Sequence, residues 1–336
     1  MSGNDSELTV LRSLAAKYFQ TDQIELEPLH GDGSDRILLR IVCGENSIIG
    51  VHHSNIQENR DFFVLTDFLK RCGIPVPNIL SVDSRGSDYL LEDLGNSTLA
   101  AVIHKWRKEK KETLIIPVYR QVLDLLIQMQ SKLSRLLVSY PNHQKMDRRL
   151  YWADLNYFKE HFIDLYGFQA LYTHHVQREL EEKLIEPMTK LDHSYFVFRD
   201  FQSRNIMWRH EQPVFIDYQS ACLGTKYYDL ASMLYSSESG LESEQRKELL
   251  AHFFQKREER IDYEVFLQRV YRFILARRLR SFGSYGYLAE RKDKKVFKSY
   301  VSPALDELKA IFTDHPHLDE YPHTYRLVSG IRASWS

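Results

Sequence analysis

The spacing of hydrophobic residues differs between the beginning of the chain and the remainder. In the first part, short apolar runs are separated by turn residues, and two longer stretches have the spacing of an amphipathic helix. This pattern predicts helices over 6–19 and 59–72 and strands over 24–29, 37–43, 48–52, 79–82 and 89–91. We therefore expect a five-stranded antiparallel sheet with a helix inserted after its third strand.

After Gly95 the apolar residues recur at helical spacing, and Val118 and Leu126 belong to one such stripe. The change of pattern predicts a small, mainly β domain over residues 1–95 and a mainly helical domain over residues 96–336, which together make an α+β fold. Further helices are predicted over 147–167, 177–191, 227–235, 242–257, 263–283 and 303–312.

A polar loop between two short strand-like runs carries the clearest candidate chemistry. Asp200 precedes Asn205 by five residues, and Asp217 follows Asn205 by twelve residues at the end of an apolar run. Phosphoryl transfer from ATP requires one carboxylate to orient the acceptor hydroxyl and oxygen ligands for magnesium. The spacing is typical of a protein-kinase-like, bilobal fold, and it predicts Asp200 as the catalytic residue and Asn205 and Asp217 as metal ligands.

Further segments with a known family pattern lie on both sides of this loop, at 32–36, 57–59, 73–77, 90–95, 199–205, 217–219, 228–230 and 277–283. Together they resemble the aminoglycoside-phosphotransferase superfamily of small-molecule kinases. Within it, they are most similar to the anomeric sugar kinases that phosphorylate N-acetylmuramate and N-acetylglucosamine at C1. The resemblance implies a kinase-like fold, ATP and Mg²⁺ as cofactors, a small sugar as acceptor and a role in sugar salvage for cell wall recycling.

The sequence departs from the pattern of these relatives at several positions. Phe198 stands where the sugar kinases tend to have histidine, and we interpret it as a packing residue. Ser220 replaces a carboxylate near the expected acceptor site, which leaves the identity of the sugar open. The strand over 48–52 has no lysine, although protein kinases use a lysine there to bind the phosphates.

Other residues must therefore neutralise the phosphates of ATP. Arg36 and Arg40 are four residues apart on one strand and share a face, so we hypothesise that one of them binds the phosphates; the alternative is that both are solvated. The preceding turn predicts that Gly33 and Ser34 cover the phosphates, although such turns also form for conformational reasons alone. By position, the connector expected to supply backbone groups to the adenine consists of Glu92, Asp93 and Leu94.

Four residues are candidates for binding the acceptor. Arg204 and Gln219 lie close in sequence to the predicted catalytic residues, and Arg277 and Arg278 lie in a basic stretch over 269–298. A carboxylate-bearing acceptor such as N-acetylmuramate pairs well with arginine. The alternatives are that Arg204 fixes the loop through an ion pair and that the basic stretch is a solvated face. Nucleic-acid binding is disfavoured, because no aromatic stacking pattern accompanies the basic residues.

Composition bears on the expected partners and cellular location of the protein. The formal net charge of −1 creates no global field that would steer the protein toward nucleic acid or membrane, and no apolar run approaches the ~18 residues of a membrane span. Three dispersed cysteines fit a reducing compartment. We expect a cytoplasmic protein with neither nucleic-acid nor membrane partners, and we favour a monomer.

Two alternative functions stay open at this point. The acceptor could be another small hydroxyl compound that resembles an aminoglycoside, choline or a fructosamine. The chain could instead be a nucleotide-binding pseudokinase scaffold, which the missing strand lysine favours. The complete set of Asp200, Asn205 and Asp217 argues against a scaffold, because binding alone has no need of all three.

Overall fold

A computed structural model describes residues 4–29, 36–140, 144–257 and 260–335. The chain forms two compact units, one of Met1–Lys110 with Ser203–Ser220 and one of Lys111–Gln202 with Ala221–Ser336. The first unit therefore extends past the boundary predicted near Gly95 and takes up a later piece of the chain. The functional roles assigned to residues 1–95 and 96–336 stay predictions.

The first unit contains the predicted five-stranded antiparallel sheet. Its strand order is β1-β2-β3-β5-β4, and all neighbouring strands are antiparallel. The long β2–β3 pairing keeps Ile41 opposite Ile48, and both side chains are buried. The strands are β1 (Glu25–Leu29), β2 (Ile37–Cys43), β3 (Asn46–His52), β4 (Ile79–Val82) and β5 (Asp88–Glu92).

Helices of the first unit are α1 (Asn4–Phe19), α2 (Ile56–Arg71) and α3 (Leu99–Lys108). In α1, Leu11 and Ala15 are completely buried in the core on the sheet. Helix α2 begins three residues earlier than predicted, because the side chain of Asn55 accepts a hydrogen bond from the Glu58 backbone N–H and caps the helix.

In the part of the chain that the structure describes, four short strands follow: β6 (Tyr195–Val197), β7 (Ile206–Arg209), β8 (Gln212–Phe215) and β9 (Cys222–Gly224). Strands β7 and β8 form an antiparallel hairpin in the first unit, and β6 pairs with β9 in the second. Sequence reasoning identified β6, β7 and β8 as the apolar runs around the polar loop, but it missed β9, which ends in glycine and is not part of a longer apolar run.

The second unit is mainly helical, and its long helix α10 (Tyr263–Glu290) packs against α5 (Arg148–Phe158) and α8 (Tyr227–Leu234). Stretches of π-helix follow α5 at Lys159–Asp164 and α6 (His174–Glu179) at Leu180–Ile185. A side-chain carbon at Gly286 of α10 would overlap the backbone oxygen of His161 in the first π-helical stretch, so the contact requires glycine. The helices are α4 (Ile115–Val138), α5 (Arg148–Phe158), α6 (His174–Glu179), α7 (Glu186–Thr189), α8 (Tyr227–Leu234), α9 (Ser243–Lys256), α10 (Tyr263–Glu290), α11 (Val301–Asp314) and α12 (Pro322–Ser334).

The end of the chain docks as a helix on the second unit. The buried carboxylate of Glu179 accepts hydrogen bonds from the backbone N–H groups of His323 and Thr324 at 3.1 and 2.7 Å, which satisfies donors at the start of α12. Within residues 4–29, 36–140, 144–257 and 260–335, no helix combines the length and the apolarity of a membrane span.

Candidate active site

The backbone before Asp200 is held by a buried carboxylate of the same unit. Asp229 in α8 has no exposed surface, and its two oxygens accept hydrogen bonds from the backbone N–H groups of Phe198 at 2.6 Å and Arg199 at 3.1 Å. Arg199 has φ of +74°, a left-handed conformation that is unfavourable for a residue with a side chain. Such strain persists only where the surroundings enforce it, and Asp229 does so here.

The environment of Asp229 changes its acidity. Burial raises the pKa of the Asp229 carboxyl to about 7, although the Phe198 N–H, the Arg277 guanidinium and the Arg199 N–H all stabilise the charged form. Because this pKa lies near neutrality, the carboxyl that positions the loop changes its protonation as the pH passes through about 7.

Arg277 in α10 binds the same loop through a backbone carbonyl group, whereas Asp229 binds backbone N–H groups. Its Nη1 donates a hydrogen bond to the backbone oxygen of Arg199 at 3.2 Å, and its guanidinium carbon lies 4.6 Å from the centre of the Tyr228 ring. The N–H and the C=O of Arg199 are thus both bound, and the half-buried Asp200 follows directly. This arrangement fixes the backbone from which the predicted catalytic carboxylate projects.

A cavity of the second unit includes Arg277 in its wall. Asp154, also in the wall, accepts a hydrogen bond at Oδ1 from Nε of Arg280 at 2.8 Å. Burial lowers the pKa of Arg280, but Asp154, Tyr228 and Asp200 together raise it, so the net shift is upward. The cavity is lined by Tyr151, Asp154, Leu155, Leu184, Ile185, Met188, Tyr228, Phe273, Ala276 and Arg277.

The two predicted acceptor arginines have different environments. Arg277 is partly exposed at the cavity, whereas Arg278 is buried and forms an ion pair with Glu307 of α11. Burial lowers the pKa of Arg278, although Glu307 opposes the shift. Adjacent residues of a helix point about 100° apart, and the pattern of charges in the sequence did not reveal which of the two faces the interior.

Asn205 and Asp217 come together in the first unit. Asn205 immediately precedes β7, Ile216 immediately follows β8, and the Ile216 N–H donates a hydrogen bond to the Asn205 backbone oxygen at 3.0 Å. Asp217 is exposed and has a left-handed φ of +65°. Nε2 of Gln219 donates to Oδ1 of Asp217 at 2.8 Å, so Gln219 orients the carboxylate.

The oxygen donors at this end of the hairpin suit magnesium. Within 4–29, 36–140, 144–257 and 260–335, no group of three or more His, Cys, Asp and Glu side chains could hold a metal ion. A site with one carboxylate and one amide oxygen leaves most coordination positions to water and phosphate oxygens, which is how Mg²⁺ is commonly bound. Asn205 and Asp217 therefore fit the ion that the sequence predicts.

Arg36 and Arg40 have different partners. Nη2 of Arg36 contacts Oε1 of Glu58 in α2 at 2.6 Å. Arg40 binds both carboxylate oxygens of Asp93, with Nε–Oδ2 and Nη2–Oδ1 distances of 2.6 and 3.1 Å. Sequence reasoning missed Glu58, although a glutamate in the first turn of the helix after β3 was a signal for such a pair.

The connector after β5 is held by its own side chains. Burial raises the pKa of Asp93. Hydrogen bonds from Arg40, the Ser47 hydroxyl and the Gly95 N–H together lower this pKa by more than burial raises it, so the net shift is downward. Glu92 accepts hydrogen bonds from the backbone and side chain of Asn78 and pairs with Arg209 of β7.

Leu94 is partly buried beside these residues, and Arg204 is partly buried in the 3-10 turn Ser203–Asn205. Gly33 and Ser34 lie outside the described residues. The ligand-binding roles predicted for these four residues, and for the backbone of Glu92 and Asp93, stay predictions.

Comparison with known proteins gives a family match and several relatives. The model of a family described as "Phosphotransferase enzyme family" matches residues 26–265. The N-acetylmuramate/N-acetylglucosamine kinase of Pseudomonas aeruginosa is 25% identical over 221 residues, which are 62% of this chain and 59% of that protein. The kinase of the same name from Neisseria meningitidis is 27% identical over 190 residues, 54% of this chain and 53% of that protein.

A third relative, the N-acetylmuramate/N-acetylglucosamine kinase of Caulobacter vibrioides, is 22% identical over 324 residues, which are 87% of this chain and 83% of that protein. The matched region thus spans less than two thirds of the Pseudomonas and Neisseria proteins and more of the Caulobacter protein.

Solved structures share the fold at low sequence identity. Choline kinase from Cryptosporidium parvum Iowa II has a TM-score of 0.60 and 13% identity, with 97% of this chain and 99% of that chain covered. The gentamicin-APH(2")-IIa complex has a TM-score of 0.59 and 17% identity, with 91% and 96% covered. These similarities confirm the predicted protein-kinase-like fold.

Proposed function

The chain belongs to the phosphotransferase enzyme family, and on that premise we propose that it is an ATP-dependent kinase. Its acceptor is the anomeric hydroxyl of an N-acetylated amino sugar, N-acetylmuramate or N-acetylglucosamine. The observation that carries the proposal is the 3.0 Å hydrogen bond from Ile216 to Asn205, which keeps Asn205 and Asp217 at the same end of one hairpin. These oxygens suit a magnesium ion that also holds phosphate.

When bound, ATP supplies the phosphoryl group, and magnesium offsets the negative charge of the phosphates. In the proposed reaction, Asp200 accepts a hydrogen bond from the acceptor hydroxyl and takes its proton late. The loose transition state requires orientation more than a strong base. The bonds that Asp229 and Arg277 make to the backbone of Arg199 support this role, because they fix the residue that precedes Asp200.

For the nucleotide phosphates, the contacts favour Arg36 over Arg40. Arg40 donates hydrogen bonds from two nitrogens to Asp93 and also contacts the Gly95 carbonyl, so its side chain stabilises the connector. In the sequence, Arg36 lies two residues after Ser34 of the predicted turn, and Glu58 holds the Arg36 side chain in place. We assign the phosphate role to Arg36.

The choice of acceptor draws on two observations. The three curated relatives are named as N-acetylmuramate/N-acetylglucosamine kinases, at 22–27% identity. Arg277 lines a cavity and is partly exposed, which supports its contact with an acceptor, whereas the burial of Arg278 against Glu307 favours a structural role. Cell wall recycling, a cytoplasmic location and a monomeric state stay predictions.

The decisive experiment measures ADP release from magnesium and ATP with a panel of acceptors: N-acetylmuramate, N-acetylglucosamine, glucose, galactose, an aminoglycoside and choline. We expect turnover with an N-acetylated sugar and a product whose ³¹P resonance couples to the anomeric proton. Asp200→Ala is the blank, and we expect it to lose about 10²- to 10⁴-fold in rate while ATP still binds. Turnover on choline or the aminoglycoside alone, or full activity in the variant, would contradict the proposal.

A further inference from the structure

We infer that Arg280 binds the carboxylate of an acidic acceptor sugar, which is N-acetylmuramate in the proposed reaction. The inference rests on the proposed function and adds a specificity-determining residue to it. N-acetylmuramate differs from N-acetylglucosamine by a lactyl ether on O3, and this ether carries the carboxylate. A guanidinium that binds the carboxylate makes the acidic sugar the better acceptor of the two.

Arg280 has hydrogen-bond donors that its contacts within the second unit do not use. Its Nε donates to Oδ1 of Asp154 at 2.8 Å. Within residues 4–29, 36–140, 144–257 and 260–335, neither Nη1 nor Nη2 of Arg280 has a hydrogen-bond partner. These two nitrogens carry four N–H donors in one plane, which is the geometry that binds both oxygens of a carboxylate.

The other two arginines in this part of α10 are less available. Nη1 of Arg277 donates to the Arg199 carbonyl. The side chain of Arg278 is 3% exposed and forms an ion pair with Glu307. The side chain of Arg280 is 34% exposed, so a ligand in solution has access to its unused donors.

Helix α5 holds the side chain of Arg280 in place. Asp154 in α5 binds Nε, and the ring centre of Tyr157 in the same helix lies 5.7 Å from the guanidinium carbon. Because these contacts restrict the rotamers of Arg280, the side chain loses little further conformational entropy when an anion binds.

Arg280 also lies on the same side of α10 as the contact with the catalytic loop. It follows Arg277 by three residues, a spacing that places both side chains on one face of a helix. Arg277 is hydrogen-bonded to the residue directly before Asp200. Burial lowers the pKa of Arg280, and the carboxylate of Asp200 is one of the groups that raise it. An acceptor carboxylate on Arg280 therefore brings the sugar toward the catalytic loop.

The charges around Arg280 favour a carboxylate over a phosphate group as its ligand. Asp154 and Asp200 already place two negative charges near the guanidinium. A carboxylate adds one negative charge, whereas a phosphate group adds up to two and is repelled more strongly. The phosphates of ATP have magnesium as their counter-ion, and the lactyl carboxylate requires a cation from the protein.

Two acceptors and two variants test the contact. The acceptors are N-acetylmuramate and its methyl ester, which keeps the lactyl group and removes its charge. We expect Arg280→Gln to lower the ratio of kcat/KM for the acid over the ester by about 10- to 100-fold, the range for a hydrogen bond between charged groups. The loss is mainly in KM for the acid, because the carboxylate does not react. Arg280→Lys keeps the charge without the planar fork, so we expect an intermediate ratio.

A matched control separates carboxylate recognition from general effects of losing an arginine. Arg149→Gln makes the same change in α5, where the arginine side chain is 94% exposed, and we expect it to keep the wild-type ratio. Melting temperatures check that each variant folds. An equal ratio in wild type and Arg280→Gln overturns the inference, even if N-acetylglucosamine is phosphorylated. A loss of equal size with the acid and the ester overturns it as well, because such a loss does not depend on the carboxylate.

A result in which wild type phosphorylates no sugar contradicts the proposed function separately. Arg280 is then judged by calorimetric titration of the protein, with magnesium and ADP present, with N-acetylmuramate and with its methyl ester. Tighter binding of the acid that Arg280→Gln loses and Arg149→Gln retains supports the inference. No binding of the acid to wild type, or equal affinities for the acid and the ester, overturns it.

Discussion

The hydroxyl oxygens of Tyr218 and Thr66 lie 2.7 Å apart in the interior of the first unit. Thr66 donates its proton to the backbone oxygen of Phe62 at 2.7 Å, so Tyr218 is the donor to Thr66. The rings of Tyr218 and Phe62 also stack, with centroids 5.0 Å apart. Because Tyr218 directly follows Asp217, these contacts attach the predicted metal ligand to α2, the helix that carries Glu58.

Tyr218→Phe keeps the stacked ring and removes this hydrogen bond. We expect the free energy of unfolding to fall by about 1–3 kcal/mol, because the Thr66 oxygen loses a buried partner. We also expect a higher magnesium concentration for half-maximal rate, since Asp217 is less firmly placed. Urea unfolding and a magnesium titration of the rate measure the two effects. Tyr89→Phe, which alters the other tyrosine stacked on Phe62, is the control, and an equal magnesium shift in both variants would contradict the role of Tyr218.

Asp229→Asn tests the carboxylate that holds the catalytic loop. An amide has one acceptor oxygen, whereas the backbone N–H groups of Phe198 and Arg199 are two donors, so one donor faces an NH₂ group. We expect a loss of about 1–3 kcal/mol in the free energy of unfolding and a lower kcat with little change in KM for ATP. Asp192→Asn makes the same change at an exposed carboxylate that accepts from the Ser194 N–H, and its kcat is expected to stay unchanged. Wild-type kcat for Asp229→Asn would refute the bracing role.

The raised pKa of Asp229 predicts a pH dependence of stability. This carboxyl has a pKa of about 7 in the folded protein, compared with about 3.9 in an unfolded chain. The folded state therefore binds the proton more tightly, so the stabilising contribution is complete below about pH 4 and is lost as pH rises through about 7. The measurement is the melting temperature of wild type minus that of Asp229→Asn. We expect this difference to decrease from about pH 5 to about pH 8. A difference that is constant or increases with pH would show that burial does not raise this pKa.

Gly286→Ala tests the close contact between α10 and the first π-helical stretch. The added methyl group would overlap the carbonyl oxygen of His161, and backbone there has little freedom to move. We expect a loss of about 1–3 kcal/mol from overpacking, measured by urea unfolding. Gly44→Ala is not a suitable control, because its φ is +60°. Ser284→Ala on the same helix is suitable, and an equal loss in both variants would argue against the contact.

Arg36→Ala and Arg40→Ala separate the two predicted phosphate ligands. We expect Arg36→Ala to raise KM for ATP, and Arg40→Ala to act mainly on stability, because Asp93 then loses both nitrogens of its partner. Glu58→Gln keeps a neutral side chain beside Arg36 and is expected to raise KM for ATP less than Arg36→Ala does. The assignment fails if ATP kinetics are unchanged in Arg36→Ala, or if Arg40→Ala has the larger effect on KM.

Hydrophobic periodicity and turn residues in the sequence were sufficient to predict most strands and helices of the fold. Strands β1 to β5 and helix α10 have enough consecutive residues for their periods to appear in the sequence, and Gly73 and Pro75 mark where α2 must end. The order of Asp200, Asn205 and Asp217 indicated phosphoryl transfer, because that chemistry requires these residue types at a spacing that a single loop and hairpin can provide. The predicted start of α2 was wrong because Asn55 caps the helix earlier.

Contacts between residues distant in sequence depended on packing. Nothing in the charge pattern distinguishes Arg277 from Arg278, yet the rotation of α10 places the first at a cavity and the second against Glu307. Likewise, Asp229 accepts hydrogen bonds from two backbone N–H groups about thirty residues earlier in the sequence. Asp154 in α5 pairs with Arg280 in α10. Periodicity is a property of neighbouring residues, whereas these pairs arise only when helices and strands pack with a particular rotation and register.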